Sequence, residues 1–105
     1  MTQSKVTRKS NVDWQQFAAA EGSYGEPWVT DAIMRLESRS VSSTQYGIRV
    51  QVRPDLGDYH PSGADAFWPK EDESRGPWCA CDELKKHGMC SHVVAARIYR
   101  AWLSF

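Results

Sequence analysis

The chain has 105 residues, of which 41% are hydrophobic and 25% are charged, and its formal net charge is zero. This length indicates one small domain, and the composition excludes wholesale disorder. The sequence has no apolar run of membrane-spanning length, and its N-terminus lacks the apolar centre of a signal peptide. We therefore expect an intracellular protein without a membrane partner, in which cysteine thiols stay reduced.

The first 32 residues divide into a tail and a helical segment. Residues 1–10 are polar and basic without periodicity, which predicts a flexible basic tail. A helix is predicted from Asn11, because asparagine favours N-caps and apolar residues follow at helical spacing. Those apolar residues are Trp14, Phe17 and Ala18. The glycines and proline of EGSYGEP, residues 21–27, end this helix, and we assign residues 11–32 as an N-terminal helical segment.

The next two segments carry different patterns. PWVTDAIMRLESRS, residues 27–40, fits either a short helix capped by Thr30 or a strand that starts at Met34, and we favour the helix. In QYGIRVQVR, residues 45–53, apolar and polar residues alternate, and this period of two predicts a half-buried strand. Its inward residues are predicted to be Tyr46, Ile48, Val50 and Val52. Pro54 ends the strand.

The second half of the chain is predicted to be mostly loop until its last helix. Residues 54–76 are rich in Pro, Gly, Asp and Glu and predict a long loop, functional or mobile, in which residues 66–68 pair briefly. A second short strand is predicted at residues 77–81. The final segment, CSHVVAARIYRAWLSF, predicts an amphipathic helix. Its apolar residues at helical spacing are Val94, Ile98, Ala101, Trp102 and Phe105.

All three cysteines and one histidine fall within WCACDELKKHGMCSH, residues 78–92, spaced as C-x-C and then C-x-H. Zinc binds sulfur and nitrogen donors at tetrahedral corners, so two ligand sulfurs lie about 3.8 Å apart. Alternate residues of an extended chain point to the same face, and C-x-C can therefore converge on one ion. The predicted zinc ligands are Cys79, Cys81, Cys90 and His92. Because protein fills all four positions, the site is predicted to be structural.

Three other interpretations of these residues stay open. The cysteines could be small buried hydrophobic residues, with His92 on a helix surface. A redox pair is disfavoured, because C-x-C lacks the two-residue spacer of dithiol oxidoreductases. His87 competes as the fourth ligand, but its loop position favours a surface histidine. His60 has no partner nearby in sequence and is expected to be exposed.

The ligand pattern, followed at once by an amphipathic helix, resembles the SWIM zinc finger, C-x-C-x(n)-C-x-H. YGIRV at residues 46–50 is similar to the family's upstream strand, and HVVAARIY is similar to its continuation into the helix. The resemblance covers residues 33–103, and we assign residues 33–105 as a SWIM-like zinc-binding domain. It implies an α+β fold of the ββα kind, in which short antiparallel strands and a C-terminal helix are stabilised by one structural zinc ion. Ser91 and Asp82 depart from the Lys and Pro that are frequent in the family, and both make the site less basic.

The resemblance implies a module that binds DNA or another protein. Candidate cations for nucleic-acid or partner contact are Arg49, Arg53, Lys85, Lys86, Arg97 and Arg100. Candidate aromatic anchors, which equally suit a small core, are Trp28, Trp68 and Trp78. Zero net charge and the acidic residues at 71–73 favour a protein-binding adaptor in a nucleic-acid-associated complex, with direct DNA binding as the alternative.

No pattern in the chain predicts catalysis. There is no Gly-rich phosphate loop, no nucleophile paired with a base, and the predicted zinc has a full set of protein ligands. We therefore expect a protein that is not an enzyme and takes no small-molecule substrate.

Overall fold

The structure is a computed structural model that describes residues 12–20, 28–58 and 65–104. Within these ranges the chain has an α+β fold of helices and one three-stranded antiparallel sheet, and this confirms the predicted fold class. Five predictions concern residues outside the described ranges: the tail at 1–10, the Asn11 cap, the turn at 21–27, the exposure of His60 and the place of Phe105 on the last helix.

The helices of the described residues are α1 (Trp14–Ala20), α2 (Trp28–Glu37), α3 (Asp82–His87) and α4 (Ser91–Leu103). Helix α2 is the helix favoured for residues 27–40, and it continues across the predicted segment boundary between residues 32 and 33. No periodicity predicts α3, because its six residues are too few to show one. Gly88 ends α3 with a φ of 76°, a left-handed conformation that suits glycine, and its N–H donates to the Leu84 carbonyl at 2.8 Å.

The sheet consists of β1 (Val41–Thr44), β2 (Gly47–Val50) and β3 (Ala66–Pro69), in that order. Thr44 pairs with Gly47, so a two-residue turn joins β1 to β2. The strand predicted at 45–53 is therefore shorter than expected. Tyr46 lies in this turn and is 69% exposed, so the prediction that it faces inward is wrong.

Two predictions for the second half change in the structure. The strand predicted at 77–81 reduces to a single bridge, in which Trp78 and Phe67 exchange backbone hydrogen bonds of 2.8 and 3.0 Å. The predicted long loop contains β3 and two 3-10 segments, Pro54–Leu56 and Lys70–Arg75. These segments bring parts of the acidic stretch against the rest of the fold.

Helix α4 lies at the centre of the fold, in contact with α1, α2 and all three strands. Of its predicted apolar face, Val94 and Ile98 are 0% exposed, while Ala101 and Trp102 are half-buried. Near its C-terminal end, Trp14 of α1 stacks on Tyr99 with ring centroids 6.3 Å apart, and it meets Trp102 edge-on at 5.5 Å. Burial of these large apolar surfaces is the main favourable contribution to the fold. These contacts hold the C-terminal half of α4 against α1.

Candidate metal centre

The four predicted ligands lie where elements of secondary structure begin or end. Cys79 follows Trp78, whose bridge to β3 holds the backbone. Cys81 is the N-cap of α3, Cys90 is the N-cap of α4, and His92 lies in the first turn of α4. Helix α3 and the left-handed glycine that ends it carry the chain from the first pair of residues back to the second. Local structure thus brings the C-x-C and C-x-H pairs together.

The four side chains converge on one point. Their ligand atoms, three Sγ atoms and one imidazole nitrogen, all lie within 4.8 Å of one another. The relative exposures are 5% for Cys79, 6% for Cys81, 0% for Cys90 and 4% for His92. Sulfurs on one tetrahedral ion stand about 3.8 Å apart, so the cluster has the size that a single ion requires. The chain therefore carries a candidate site for one metal ion.

The pKa values of the three thiols are shifted in different directions. The hydrogen bond from Cys79 lowers the pKa of Cys90 to about 4. Burial acts in the opposite direction, and His92 lowers the pKa further. The same hydrogen bond, together with burial, raises the pKa of Cys79. Burial raises the pKa of Cys81 as well. Without an ion, the cluster therefore holds one thiolate and two thiols near neutral pH, and a metal ion must displace two protons to bind all three sulfurs.

His92 also belongs to a buried polar network on its other side. Its Nε2 lies 3.1 Å from Oδ2 of Asp58, and both side chains are nearly fully buried. Arg35 forms a bidentate pair with Asp58, with Nη1 donating to Oδ2 at 2.7 Å and Nη2 donating to Oδ1. The backbone N–H of Arg53 donates to the same Oδ2 at 2.7 Å, and Nε of Arg35 donates to Oγ of Ser91 at 3.1 Å. Arg35 and Asp58 thus each have more than one hydrogen-bond partner in the interior.

This network keeps Asp58 ionised. Burial alone would raise the pKa of a carboxyl group, but the hydrogen bonds from Arg35, from the Arg53 backbone and from His92 outweigh it and lower the pKa of Asp58 to about 2. Asp58 is therefore a carboxylate near neutral pH. One positive and one negative charge lie together in the interior beside the imidazole of His92.

Sequence reasoning missed both Arg35 and Asp58. A signal exists for Arg35, because it shares a helix face with the buried residues Ala32 and Leu36. A charged residue on an apolar helix face indicates a buried partner. The identity of that partner has no local signal, since residues 54–76 contain six acidic side chains and only the folded chain selects one of them.

The cations predicted to contact a partner lie on separate elements. Arg49 on β2 is largely exposed and its Nε lies 3.9 Å from a carboxylate oxygen of Asp65, while Lys85 and Lys86 are exposed on α3. Arg53 instead donates to Asp55 at 2.8 and 2.6 Å and to a serine hydroxyl at 2.7 Å. Its guanidinium group is thus engaged within the chain.

The remaining candidates lie around the indole ring of Trp68. The guanidinium carbons of Arg97 and Arg100 lie 5.1 and 4.9 Å from the ring centre, within the range of cation–π attraction. Trp68 itself is 4% exposed and belongs to the core, whereas Trp78 is 53% exposed. His87 is exposed, and its ring lies 6.0 Å from that of Trp28 rather than in the four-residue cluster.

Comparison with known protein families, with curated proteins and with solved structures finds no match to this chain. In the part of the chain that the structure describes, no helix is both long and apolar enough to cross a membrane. The class of this protein is therefore defined by its own fold and its own candidate site. It is a small α+β domain built around a buried cluster of three cysteines and one histidine with metal-binding geometry.

Proposed function

We propose that this protein is a small zinc-binding module of the SWIM type, with one structural zinc ion held by Cys79, Cys81, Cys90 and His92. The observation that carries the proposal is the convergence of these four buried donors within 4.8 Å. Sulfur and imidazole donors suit zinc, a borderline-soft ion without a geometric preference of its own. Four protein donors complete a tetrahedral shell, so we assign the ion a structural role and the protein no catalytic activity.

The order and placement of the ligands support the SWIM assignment. The C-x-C pair follows the backbone bridge at Trp78, and the C-x-H pair enters a helix. Ser91 departs from the Lys that is frequent in the family, and here it is buried and accepts a hydrogen bond from Arg35. A lysine at this position would place a second cation beside Arg35 in the interior, so serine fits this chain's own network.

Bound zinc would join three parts of the fold. Cys79 ends the segment that is bridged to β3, Cys81 starts α3, and Cys90 with His92 starts α4. When bound, the ion cross-links the chain, and in zinc-finger peptides such binding is worth about 10–16 kcal/mol at pH 7, most of it folding free energy. Because α4 contacts most other elements, we expect loss of the ion to loosen the whole core.

We assign the module to a protein-binding role, as an intracellular adaptor in a nucleic-acid-associated complex. Two exposed aromatic side chains support this role, Trp78 at 53% and Tyr46 at 69% exposure, since aromatic residues often anchor protein interfaces. The zero net charge agrees with it. Direct DNA binding is the alternative, and the exposed Lys85 and Lys86 beside the candidate metal centre favour it.

Metal analysis tests the site. The wild-type protein, purified without metal-chelating resin, should contain one zinc ion per chain by elemental analysis. Cys90→Ser and His92→Ala should lose the ion and the native circular dichroism spectrum, because the binding energy is largely folding energy. His87→Ala is the matched control, since this histidine is exposed and lies outside the cluster, and it should retain both. Zinc-free wild-type protein from zinc-supplemented cells would refute the site.

Two binding assays separate the adaptor from the DNA-binding alternative. Direct binding to duplex DNA should weaken steeply as salt rises, because it depends on phosphate contacts. The adaptor role instead predicts no gel shift at low salt and a protein ligand that wild-type chain retains and Trp78→Ala loses. Met34→Ala is the control, since Met34 is another exposed apolar side chain, at 42% exposure. A salt-sensitive gel shift that Lys85→Ala weakens would establish the alternative.

A further inference from the structure

We propose that Asp58 is a positioning residue of the metal centre: its carboxylate accepts the Nε2–H of His92 and so leaves Nδ1 as the nitrogen that binds the metal ion. This inference rests on the proposed zinc site and adds to it a carboxylate and an arginine outside the ligand set. Nothing in the ligand spacing indicates them, because both lie far from residues 79–92 in the sequence.

The contact between His92 and Asp58 distinguishes the two imidazole nitrogens. An imidazole has two nitrogens, and in its neutral form one donates a hydrogen bond while the other offers a lone pair. Nε2 lies 3.1 Å from Oδ2 of Asp58, and a carboxylate can only accept. The proposal therefore places the proton on Nε2, next to this acceptor, and leaves the lone pair of Nδ1 available to the ion. Ligating histidines in metalloproteins are commonly oriented by such carboxylates.

Asp58 is itself held in place by Arg35. The two guanidinium nitrogens Nη1 and Nη2 donate to the two carboxylate oxygens, and the side-chain exposures are 6% for Arg35 and 2% for Asp58. The backbone N–H of Arg53 adds a third donor to the carboxylate at 2.7 Å. A carboxylate with this many partners in the interior has one orientation. It therefore transmits that orientation to the ring of His92.

The network also connects parts of the chain that hold no ligand to the metal centre. Arg35 lies near the end of α2, and Asp58 follows the 3-10 turn Pro54–Leu56. Nε of Arg35 donates to Oγ of Ser91, which lies between the ligands Cys90 and His92 in sequence. Metal affinity should consequently depend on the docking of α2, even though α2 contributes no donor to the ion.

The first experiment compares two aspartates three residues apart. Full-length wild-type protein, Asp58→Asn and Asp55→Asn are titrated with zinc alone against a chromogenic chelator. Asp58→Asn should bind zinc about 10–100-fold more weakly, as is usual when a carboxylate partner of a ligating histidine is lost. Asp55→Asn should bind within about twofold of wild type, because Asp55 is exposed and pairs with Arg53 rather than with His92. Equal affinity of the two variants would overturn the proposal.

The second experiment observes His92 directly and does not depend on the folding of Asp58→Asn. In zinc-loaded protein with His60→Gln and His87→Gln, one imidazole remains, and nitrogen NMR identifies the metal-bound nitrogen. The proposal requires a metal-bound Nδ1 and a protonated Nε2. A metal-bound Nε2 would overturn it while leaving the zinc site intact. Absence of zinc from the wild-type protein would instead refute the proposed function, so the two failures are distinguishable.

Discussion

Gly47 is a position at which the sheet leaves no room for a side chain. It pairs with Pro69 across β2 and β3 and has a φ of 150°, which residues with a side chain rarely adopt. A Cβ atom built there would overlap the backbone carbonyl oxygen of Trp68 and lie 3.0 Å from Cζ of Phe67. Gly47→Ala must therefore strain β2 and also push β3 away from it.

The size of the effect follows from these two causes. A left-handed φ costs a residue with a side chain about 1–2 kcal/mol, and overpacking costs about 1–3 kcal/mol. We therefore expect Gly47→Ala to lower the free energy of unfolding by about 2–5 kcal/mol. Gly57→Ala is the matched control, because Gly57 has a φ of 88° with nothing within 4 Å of an added Cβ. It should lose only the conformational part, about 1–2 kcal/mol.

Thermal unfolding followed by circular dichroism measures this difference. The zinc concentration must be fixed and saturating, since a ligand that binds the folded state raises the apparent stability. For a domain of this size 1 kcal/mol corresponds to about 4–8 °C in Tm, so the two variants should unfold several degrees apart. Equal melting temperatures would refute the reasoning, because they would mean that β3 does not approach Gly47 as closely as the register requires.

Two further predictions concern the core and the thiols. Ile98 of α4 is fully buried, so Ile98→Ala should destabilise by about 2–5 kcal/mol and Ile98→Val by about 0.5–1.5 kcal/mol in urea unfolding. Equal and small losses of stability in the two variants would contradict close packing around Ile98. Zinc affinity should fall as pH falls, because Cys79 and Cys81 have raised pKa values and hold protons that the ion displaces. Two protons correspond to about 100-fold per pH unit near neutrality, and a flat chelator-competition profile would show that both thiols are already ionised.

Two predictions that depended on local spacing agree with the structure. The periodic pattern of α4 places Val94 and Ile98 in the core, and the spacing of WCACDELKKHGMCSH brings four donors together. Short elements were predicted less well, since neither α3 nor β1 is long enough to show a period. The strand predicted from the alternation of residues 45–53 began too early. Thr44 pairs with Gly47, so Gln45 and Tyr46 form the hairpin turn although they continue the alternating pattern.

The sequence by itself determined the composition of the candidate metal centre, because all four donors lie within residues 78–92 and their geometry is set by nearby backbone. Only the tertiary structure decided how His92 is oriented. Asp58 and Arg35 are 23 residues apart, and Arg35 and Ser91 are 56 apart. Contacts of this range form only when helix α2, the 3-10 turn and α4 pack together. A buried charge must then find a partner, and the partner is whichever carboxylate the fold brings into reach.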